Sequence, residues 1–431
     1  MPGSANHKFV LGALVACAAA LLCLGAAAAG SAPAESPASA VSLFPVVSDA
    51  RLAGDAKQTR FIVDLDSKLQ HRVFTLADPY RVVVDIPQVI FRLPAGAGTS
   101  GRGLVKAFRY GLVMPGGSRI VLELNGPAKI ESTYVLDAAN GQPPRLVIEL
   151  AAVDRTAFVQ SLDAESRPEL RPAVGSVDAV ASVTAAARPA VVTPLDSRPV
   201  VVLDPGHGGI DNGTQAASGE AEKTLVLDFA LALRDRIEKA GKYRVVMTRT
   251  DDTFIPLGER VRIARAQSAA LFVSIHADAL PRGEGDAQGA TIYTLSDRAS
   301  DAEAERLAES ENKADAIGGV NLTEEPTDVA DILIDLAQRE TKGFSNRFAR
   351  ILMTEMKSAA RMHKHPLKSA GFKVLKAPDV PSVLLELGYV SNKGDLKQLV
   401  SENWRTRTVG SVAQAVDAFF AKRVVSVGAP D

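Results

Sequence analysis

Two histidines and a glutamate are spaced along the chain in a pattern that could bind a metal ion. His207 follows an apolar run, 199–203, and stands in the glycine-rich stretch Asp-Pro-Gly-His-Gly-Gly. His276 ends a second apolar run, 271–275, and Glu222 opens an amphipathic segment. A catalytic zinc takes three His or carboxylate ligands and leaves its fourth position open for water. These three residues therefore predict a zinc site.

Simpler interpretations of the same residues remain. A histidine at a strand end can serve only as a hydrogen-bonding cap, although the occurrence of two with a carboxylate favours ligation. Glu220, two residues before Glu222, is the alternative carboxylate. Three aspartates are expected to shape loops or to accept a hydrogen bond from a histidine's second ring nitrogen, because zinc histidines usually have such a partner. They are Asp204, Asp211 and Asp278.

Glu386 is the one ionisable residue in a third apolar run, 382–387. Burying a carboxylate costs free energy unless the group is paired or takes part in chemistry. Close to a metal-activated water it could act as a general base. The sequence therefore predicts that Glu386 takes the proton of the attacking water.

The elements that position these residues alternate between strand and helix from residue 198 to 424. His207 falls just after a strand, where open α/β sheets bind their ligands. The alternation predicts an α/β fold, with a twisted, largely parallel sheet and helices on both faces. The expected strands are 199–203, 243–248, 271–276, 289–295 and 382–387, and the expected helices are 223–240, 257–269 and 344–362.

The first half of the chain has a different character. Residues 41–153 carry short runs of branched apolar residues separated by turn residues, which predicts a small all-β sandwich domain. Residues 154–197 are rich in Ala, Val, Ser, Pro and Arg without a sustained period, and are predicted to be a disordered linker.

Residues 1–30 have a basic start, an apolar centre and an alanine-rich exit, which predicts a secretory signal peptide. A retained anchor and lipid attachment at Cys17 are the alternatives. Both cysteines, Cys17 and Cys23, lie in this leader, so we expect a mature chain without disulfides or thiolate ligands. Because the leader is expected to be removed, we also expect no integral membrane span in the mature chain. The net charge of -1 gives no support to nucleic-acid binding.

Four blocks of the second half resemble the signatures of the zinc-dependent N-acetylmuramoyl-L-alanine amidases that separate daughter cells. The blocks are Asp-Pro-Gly-His-Gly-Gly at 204–209, Glu-Lys at 222–223, Ser-Ile-His-Ala at 274–277 and Pro-Ser-Val-Leu-Leu-Glu-Leu-Gly-Tyr-Val-Ser-Asn at 381–392. The resemblance covers residues 199–422. It implies hydrolysis of the amide between N-acetylmuramic acid and L-alanine in peptidoglycan. The zinc ligands would be His207, Glu222 and His276, and the base would be Glu386.

Residues 41–153 resemble the AMIN domain, which implies peptidoglycan binding and targeting to the division septum. Together with the leader, this resemblance predicts a periplasmic location. A generic carbohydrate-binding or spacer sandwich is the alternative interpretation of this domain.

An insertion at 300–340 begins with a segment, 300–316, that is dense in Glu and Ala and has high helix propensity. The simplest interpretation is a solvated surface helix. Resemblance to amidases with this insertion implies a helix that covers the zinc with a carboxylate until an activator of the LytM-domain type displaces it. The candidate carboxylates are Glu303, Glu305, Glu309 and Glu311, and residues 327–339 would dock the activator.

His363 and His365 are interpreted as an exposed helix end rather than a second metal pair. Two other functions stay open for the whole chain. One is a different exported zinc peptidase, such as a carboxypeptidase acting on wall peptides. The other is an inactive wall-binding protein, which is disfavoured because all four chemical positions are filled.

Overall fold

The computed structural model describes residues 44–114, 116–164, 196–279, 288–320 and 331–425, with side chains of 163–164, 331–338 and 422–425 left out. The predicted signal peptide and residues 165–195 of the predicted linker lie outside these ranges. Among the residues that the structure places, none of the helices combines the length and hydropathy that a membrane span needs.

The first domain is a β-sandwich. Its two sheets have the strand orders β5-β1-β2-β9-β8 and β3-β4-β7-β6, and every pair is antiparallel except β1 with β5. The strands are β1 (Val46–Gly54), β2 (Gln58–Leu65), β3 (Arg72–Leu76), β4 (Arg81–Pro87), β5 (Ile90–Phe91), β6 (Val105–Met114), β7 (Gly117–Leu124), β8 (Ala128–Leu136) and β9 (Arg145–Ala152). Alternate residues of β2, including Phe61 and Val63, face the core between the sheets, as a period of two requires.

The second domain is built on a six-stranded sheet of order β11-β10-β12-β15-β13-β14. The strands are β10 (Val200–Pro205), β11 (Arg244–Met247), β12 (Leu271–His276), β13 (Ala290–Leu295), β14 (Met362–Ala370) and β15 (Ser382–Glu386). Neighbouring strands are parallel except β13 and β15, which are antiparallel. The predicted twisted, largely parallel sheet is confirmed.

Helices cover both faces of this sheet, also as predicted. The helices of the chain are α1 (Arg155–Ala164), α2 (Glu222–Glu238), α3 (Leu257–Ala266), α4 (Ala302–Glu311), α5 (Ala314–Ile317), α6 (Asp331–Met356), α7 (Lys393–Leu399) and α8 (Glu402–Val425). Helices α2, α6 and α8 pack on one face, through residues such as Phe229, Phe348 and Phe419. Helices α3 and α4 pack on the other face. The prediction of a disordered linker is wrong at its start, because residues 155–164 form helix α1 and Phe158 is buried against Tyr80.

Helix α4 is not the solvated surface helix of the simplest interpretation. Ala304, Leu307 and Ala308 are buried in the core beneath it. These residues lie three and four positions apart, so they form one apolar stripe along the helix. The stripe holds the insertion against the sheet.

The β-sandwich contacts the second domain next to this insertion. Val83 and Val121 of the sandwich share a small apolar cluster with Ile210 and Phe254. Two buried arginines of the sandwich donate hydrogen bonds to backbone carbonyls just after α4. Arg81 donates to Ala316 and Val320, and Arg119 donates to Gly318 and Gly319.

Candidate active site

His207 is held in an uncommon backbone conformation at the end of β10. Its φ is +60°, a region that costs a non-glycine residue roughly 1–2 kcal/mol. Two arginines hold the loop by its carbonyls. Arg260 donates to the carbonyls of Pro205 and His207 at 2.9 and 2.7 Å, and Arg249 donates to Gly206 at 2.7 Å. These contacts offset the strain and fix the direction of the imidazole.

Both histidines turn one ring nitrogen toward a common point. Nδ1 of His207 lies 2.8 Å from Oδ2 of Asp211, which leaves Nε2 for the centre of the site. Nε2 of His207 and Nδ1 of His276 are buried and have no hydrogen-bond partner among the residues that the structure describes. The two ring centroids are 4.9 Å apart. Buried polar atoms are normally bonded, so this pair of free nitrogens marks a ligand-binding point.

Glu222 faces the same point from the first residue of α2. Its Oε1 lies 3.1 Å from His207 Nε2 and 3.3 Å from His276 Nδ1. The backbone N–H groups of Ala277 and Thr214 donate to its two oxygens, so the fully buried carboxylate is fixed in orientation. The alternative carboxylate, Glu220, instead accepts a hydrogen bond from Ser218.

Glu311, the last residue of α4, is the fourth group at this point. Its Oε2 lies 3.1 Å from His276 Nδ1 and 3.6 Å from His207 Nε2. Ligand atoms of these three residues all lie within 4.8 Å of one another. The other acids proposed for the insertion lie elsewhere: Glu305 and Glu309 are exposed, and Glu303 is bonded to Lys368 and Tyr389.

The distances fit a single zinc ion. Zinc binds His nitrogen at about 2.0–2.1 Å and carboxylate oxygen at about 2.0–2.2 Å, so tetrahedral ligand atoms are separated by about 3.4 Å. The four nitrogen-to-oxygen distances here run from 3.1 to 3.6 Å. The donor set is therefore spaced as zinc ligands would be.

The charges of the cluster also favour a cation. Burial acts to lower the pKa of His207, but the charges of Glu222, Asp211 and Glu311 outweigh it and raise the pKa well above 6.5. Burial raises the pKa of Glu311 to about 7, although the two histidines oppose it. A divalent cation would relieve both effects, because it replaces the proton that these crowded groups otherwise compete for.

Glu386 stands beside His276 because β12 and β15 are parallel and these two residues are paired in register. The side chain is fully buried. One oxygen accepts a hydrogen bond from the N–H of Asp278 at 3.1 Å, and the other has no hydrogen-bond partner within the described part of the chain. Burial, followed by the charges of Glu222 and Asp278, raises the pKa of Glu386 well above 4.5. The free oxygen is available to a substrate or water.

The three aspartates have separate roles. Asp211 is the hydrogen-bond partner of His207. Asp278 accepts from the hydroxyl of Thr214, which ties two loops of the site together. Asp204 lies below the site, where it accepts hydrogen bonds from Thr248, Ser274 and Arg260.

The sequence interpretation of the second histidine pair is partly wrong. Helix α6 ends at Met356, and both histidines lie on strand β14. His365 is exposed, but His363 is buried. The pairing of β14 with β13 is irregular here, since Ala290 is opposite Met362 and Ile292 is opposite Leu367. The activator-docking segment, 327–339, lies only partly within the described residues: 331–339 belong to α6, and its docking role stays a prediction.

Several residues of the site could not be recognised from sequence. Arg249 and Arg260 donate to backbone carbonyls, which every residue has, so no pattern of side chains in the sequence indicates their role. Lys368 and Tyr389 meet Glu303 across three separate segments. Tyr389 lies inside the 381–392 block, which is the one signal that pointed to it.

Helix α4 leaves little room over the histidines. The cavity bounded by His207, His276, Arg260, Glu311 and Phe372 has a volume of about 10 Å³. That is about the space of one water molecule. A glycopeptide does not fit while α4 is in this position.

Comparison with known proteins identifies two families along the chain. The model described as N-acetylmuramoyl-L-alanine amidase matches residues 201–418, and the AMIN domain model matches residues 49–150. The N-acetylmuramoyl-L-alanine amidase AmiC of Neisseria meningitidis serogroup B is 33% identical over 402 residues, which are 89% of this chain and 92% of that protein. AmiC of Escherichia coli O6:H1 is 33% identical over 84% of this chain and 87% of that protein. Among solved structures, the catalytic domain of CwlV from Bacillus (Paenibacillus) polymyxa is 26% identical with a TM-score of 0.37, over 52% of this chain and 98% of that one.

Proposed function

Because this chain belongs to the N-acetylmuramoyl-L-alanine amidase family, we propose that it cleaves peptidoglycan with a zinc-dependent mechanism. The bond is the amide between the lactyl group of N-acetylmuramic acid and the L-alanine of the stem peptide. The observation that supports the zinc proposal best is the convergence of His207 Nε2, His276 Nδ1 and Glu222 Oε1, each within about 3.3 Å of a neighbour.

His207, Glu222 and His276 would hold the metal. Zinc bound by such a set supplies a Lewis acid that polarises a carbonyl and lowers the pKa of water from about 15.7 to about 7. Asp211 keeps the His207 ring in the tautomer that offers Nε2, since it holds the proton on Nδ1.

Glu386 is the proposed general base. Its free oxygen takes the proton of the attacking water, and the same carboxyl then gives that proton to the leaving nitrogen of L-alanine. The N–H of Asp278 holds the other oxygen, so the carboxyl keeps one orientation through both transfers.

Glu311 is proposed to keep the enzyme latent. Its Oε2 lies within 3.6 Å of the two histidine nitrogens that would hold the metal, and α4 covers the histidines. Activation then requires α4 to leave, and an activator with a LytM domain is the proposed partner. We further propose a periplasmic location, with the AMIN domain bringing the enzyme to the division septum for daughter-cell separation.

The test is mass analysis of purified sacculi digested with the mature protein, with and without a chelator. The Glu311→Gln variant is run in parallel to remove latency. We expect intact stem peptides to be released, chelator to stop the release and zinc to restore it. Release of terminal residues alone would identify a carboxypeptidase and overturn the proposal.

A further inference from the structure

Lys368 is a buried cation whose partners both belong to the inhibitory insertion. It lies on β14 with a side chain that is 2% exposed. Among the described residues, its ion pairs are with Glu303 at 2.8 Å and with Asp301 at 3.4 Å. Asp301 caps the N-terminus of α4, and Glu303 is in its first turn. The negative charges that pair with Lys368 therefore belong to the segment that must leave the site in the proposed activation.

Tyr389 also contacts the carboxylate of Glu303. Its hydroxyl donates to Oε1 of Glu303 at 2.9 Å, while Lys368 holds Oε2. Lys368 lies on β14 and Tyr389 follows β15, so both groups come from the central sheet of the second domain and not from the insertion. A carboxylate seated here is bound as a ligand would be.

Displacing Glu311 would also displace Glu303. Both belong to α4, eight residues apart, and a helix moves as one rigid element. Lys368 would then lose both carboxylates that pair with it. A carboxylate of the substrate can then take the place of Glu303.

We propose that Lys368 and Tyr389 form a subsite for a carboxylate of the stem peptide, and that Glu303 occupies this subsite in the latent enzyme. The inference rests on the proposed amidase function. Eight helical residues at 1.5 Å place the subsite about 12 Å from Glu311. An extended peptide covers that distance in about three to four residues. The subsite therefore suits a carboxylate near the third residue of the stem.

The test uses the full-length Glu311→Gln protein and two soluble muramyl tripeptides, one with free carboxylates on its second and third residues and one with these groups amidated. Lys368→Met should raise KM for the acid substrate about 10- to 100-fold, the range expected for losing a charged hydrogen bond. The kcat and the KM for the amidated substrate should change less than about twofold. Lys368→Arg keeps the charge and should keep the preference.

Lys364→Met is the matched control, since Lys364 is exposed on the same strand. It should leave both KM values unchanged. A Lys368→Met variant that binds acid and amide substrates with an unaltered ratio would overturn the subsite. Calorimetric titration of the two free tripeptides into the same proteins gives that ratio without turnover. If no variant cleaves either substrate, the amidase proposal fails, and the titration still decides whether Lys368 selects the acid.

Discussion

Glu311 Oε2 lies 3.1 Å from Nδ1 of His276, although the two residues belong to an inserted helix and to a central strand. Replacing this carboxylate with an amide removes an anionic ligand from the cluster. We expect Glu311→Gln to raise the basal release of stem peptides at least about tenfold, the factor that roughly 1.4 kcal/mol represents. Glu309→Gln, exposed on the same helix, should have no effect. Equal basal rates for the two variants would exclude Glu311 as the inhibitory ligand.

Glu386→Gln should abolish turnover without emptying the metal site. Glutamine keeps the shape and the hydrogen bond from Asp278, but it accepts no proton. Loss of a general base typically costs about 10²–10⁴ in rate. The measurement pairs kcat with zinc content, and the exposed Glu402→Gln is the control. A variant with near-normal kcat would show that another group is the base.

Asp211→Asn should weaken zinc binding, because the partner of His207 no longer holds the Nδ1 proton as a carboxylate does. Substitutions of such partners typically lower metal affinity about 10- to 100-fold. Competition with a chelator measures this directly. Asp235→Asn, at an exposed position on α2, provides the comparison. Identical affinities would mean that Asp211 does not orient the ligand.

Asp204→Asn should destabilise the fold. Removing one partner from a buried ion pair costs about 3–5 kcal/mol, and Asp204 is bonded to buried Arg260 at 2.8 Å. Urea unfolding of the two proteins at neutral pH tests this prediction. A variant as stable as the wild type would show that Arg260 is satisfied without Asp204.

The same pair predicts a pH dependence. Burial acts to raise the pKa of Asp204, but Arg260 and the hydroxyls of Thr248 and Ser274 outweigh it and lower the pKa below 3.8. A carboxyl group whose pKa is lowered on folding stabilises the protein fully at pH values above its unfolded-state pKa. That stabilisation is lost as the pH falls through the folded-state pKa. The difference in unfolding free energy between wild type and Asp204→Asn should therefore narrow below pH 3.8. A difference that stays constant there would contradict the assignment.

Arg119→Ala should loosen the proposed inhibitory insertion from outside the catalytic domain. The variant loses the hydrogen bonds to the carbonyls of Gly318 and Gly319, seven and eight residues after Glu311. We expect basal activity to rise about 3- to 10-fold, consistent with the loss of roughly 1 kcal/mol of net hydrogen bonding. Arg109→Ala, a partly exposed position on β6, is the control. If the Arg119→Ala protein is folded and less stable but has an unchanged basal rate, the sandwich does not restrain the insertion through Arg119.

The central strands could be predicted because β10, β12 and β15 are buried along their whole length and read as continuous apolar runs. Their register could not, and register is what brings His276 beside Glu386. The sequence does not predict strand β14, because it is an edge strand with few apolar residues whose buried polar positions, His363 and Lys368, are five residues apart. A shift of register in its pairing with β13 breaks the period of two that would otherwise reveal a strand.

Choosing among the insertion acids required the packing of α4. A helix rotates by about 100° per residue, so acids at 303, 305, 309 and 311 point in different directions. Ala304, Leu307 and Ala308 face the sheet, and position 311 follows them at helical spacing on the same side. That stripe is visible in the sequence, but only the structure shows that it lies against the sheet and ends over the histidines.

The two arginines that reach from the sandwich to the end of the insertion also affect how this enzyme should be assayed. If α4 is inhibitory as proposed, a shortened recombinant protein that starts at residue 198 would lack the hydrogen bonds from Arg81 and Arg119 to the insertion, and we expect its basal rate to exceed that of the intact chain. Under that proposal, screens for activators should use the intact chain.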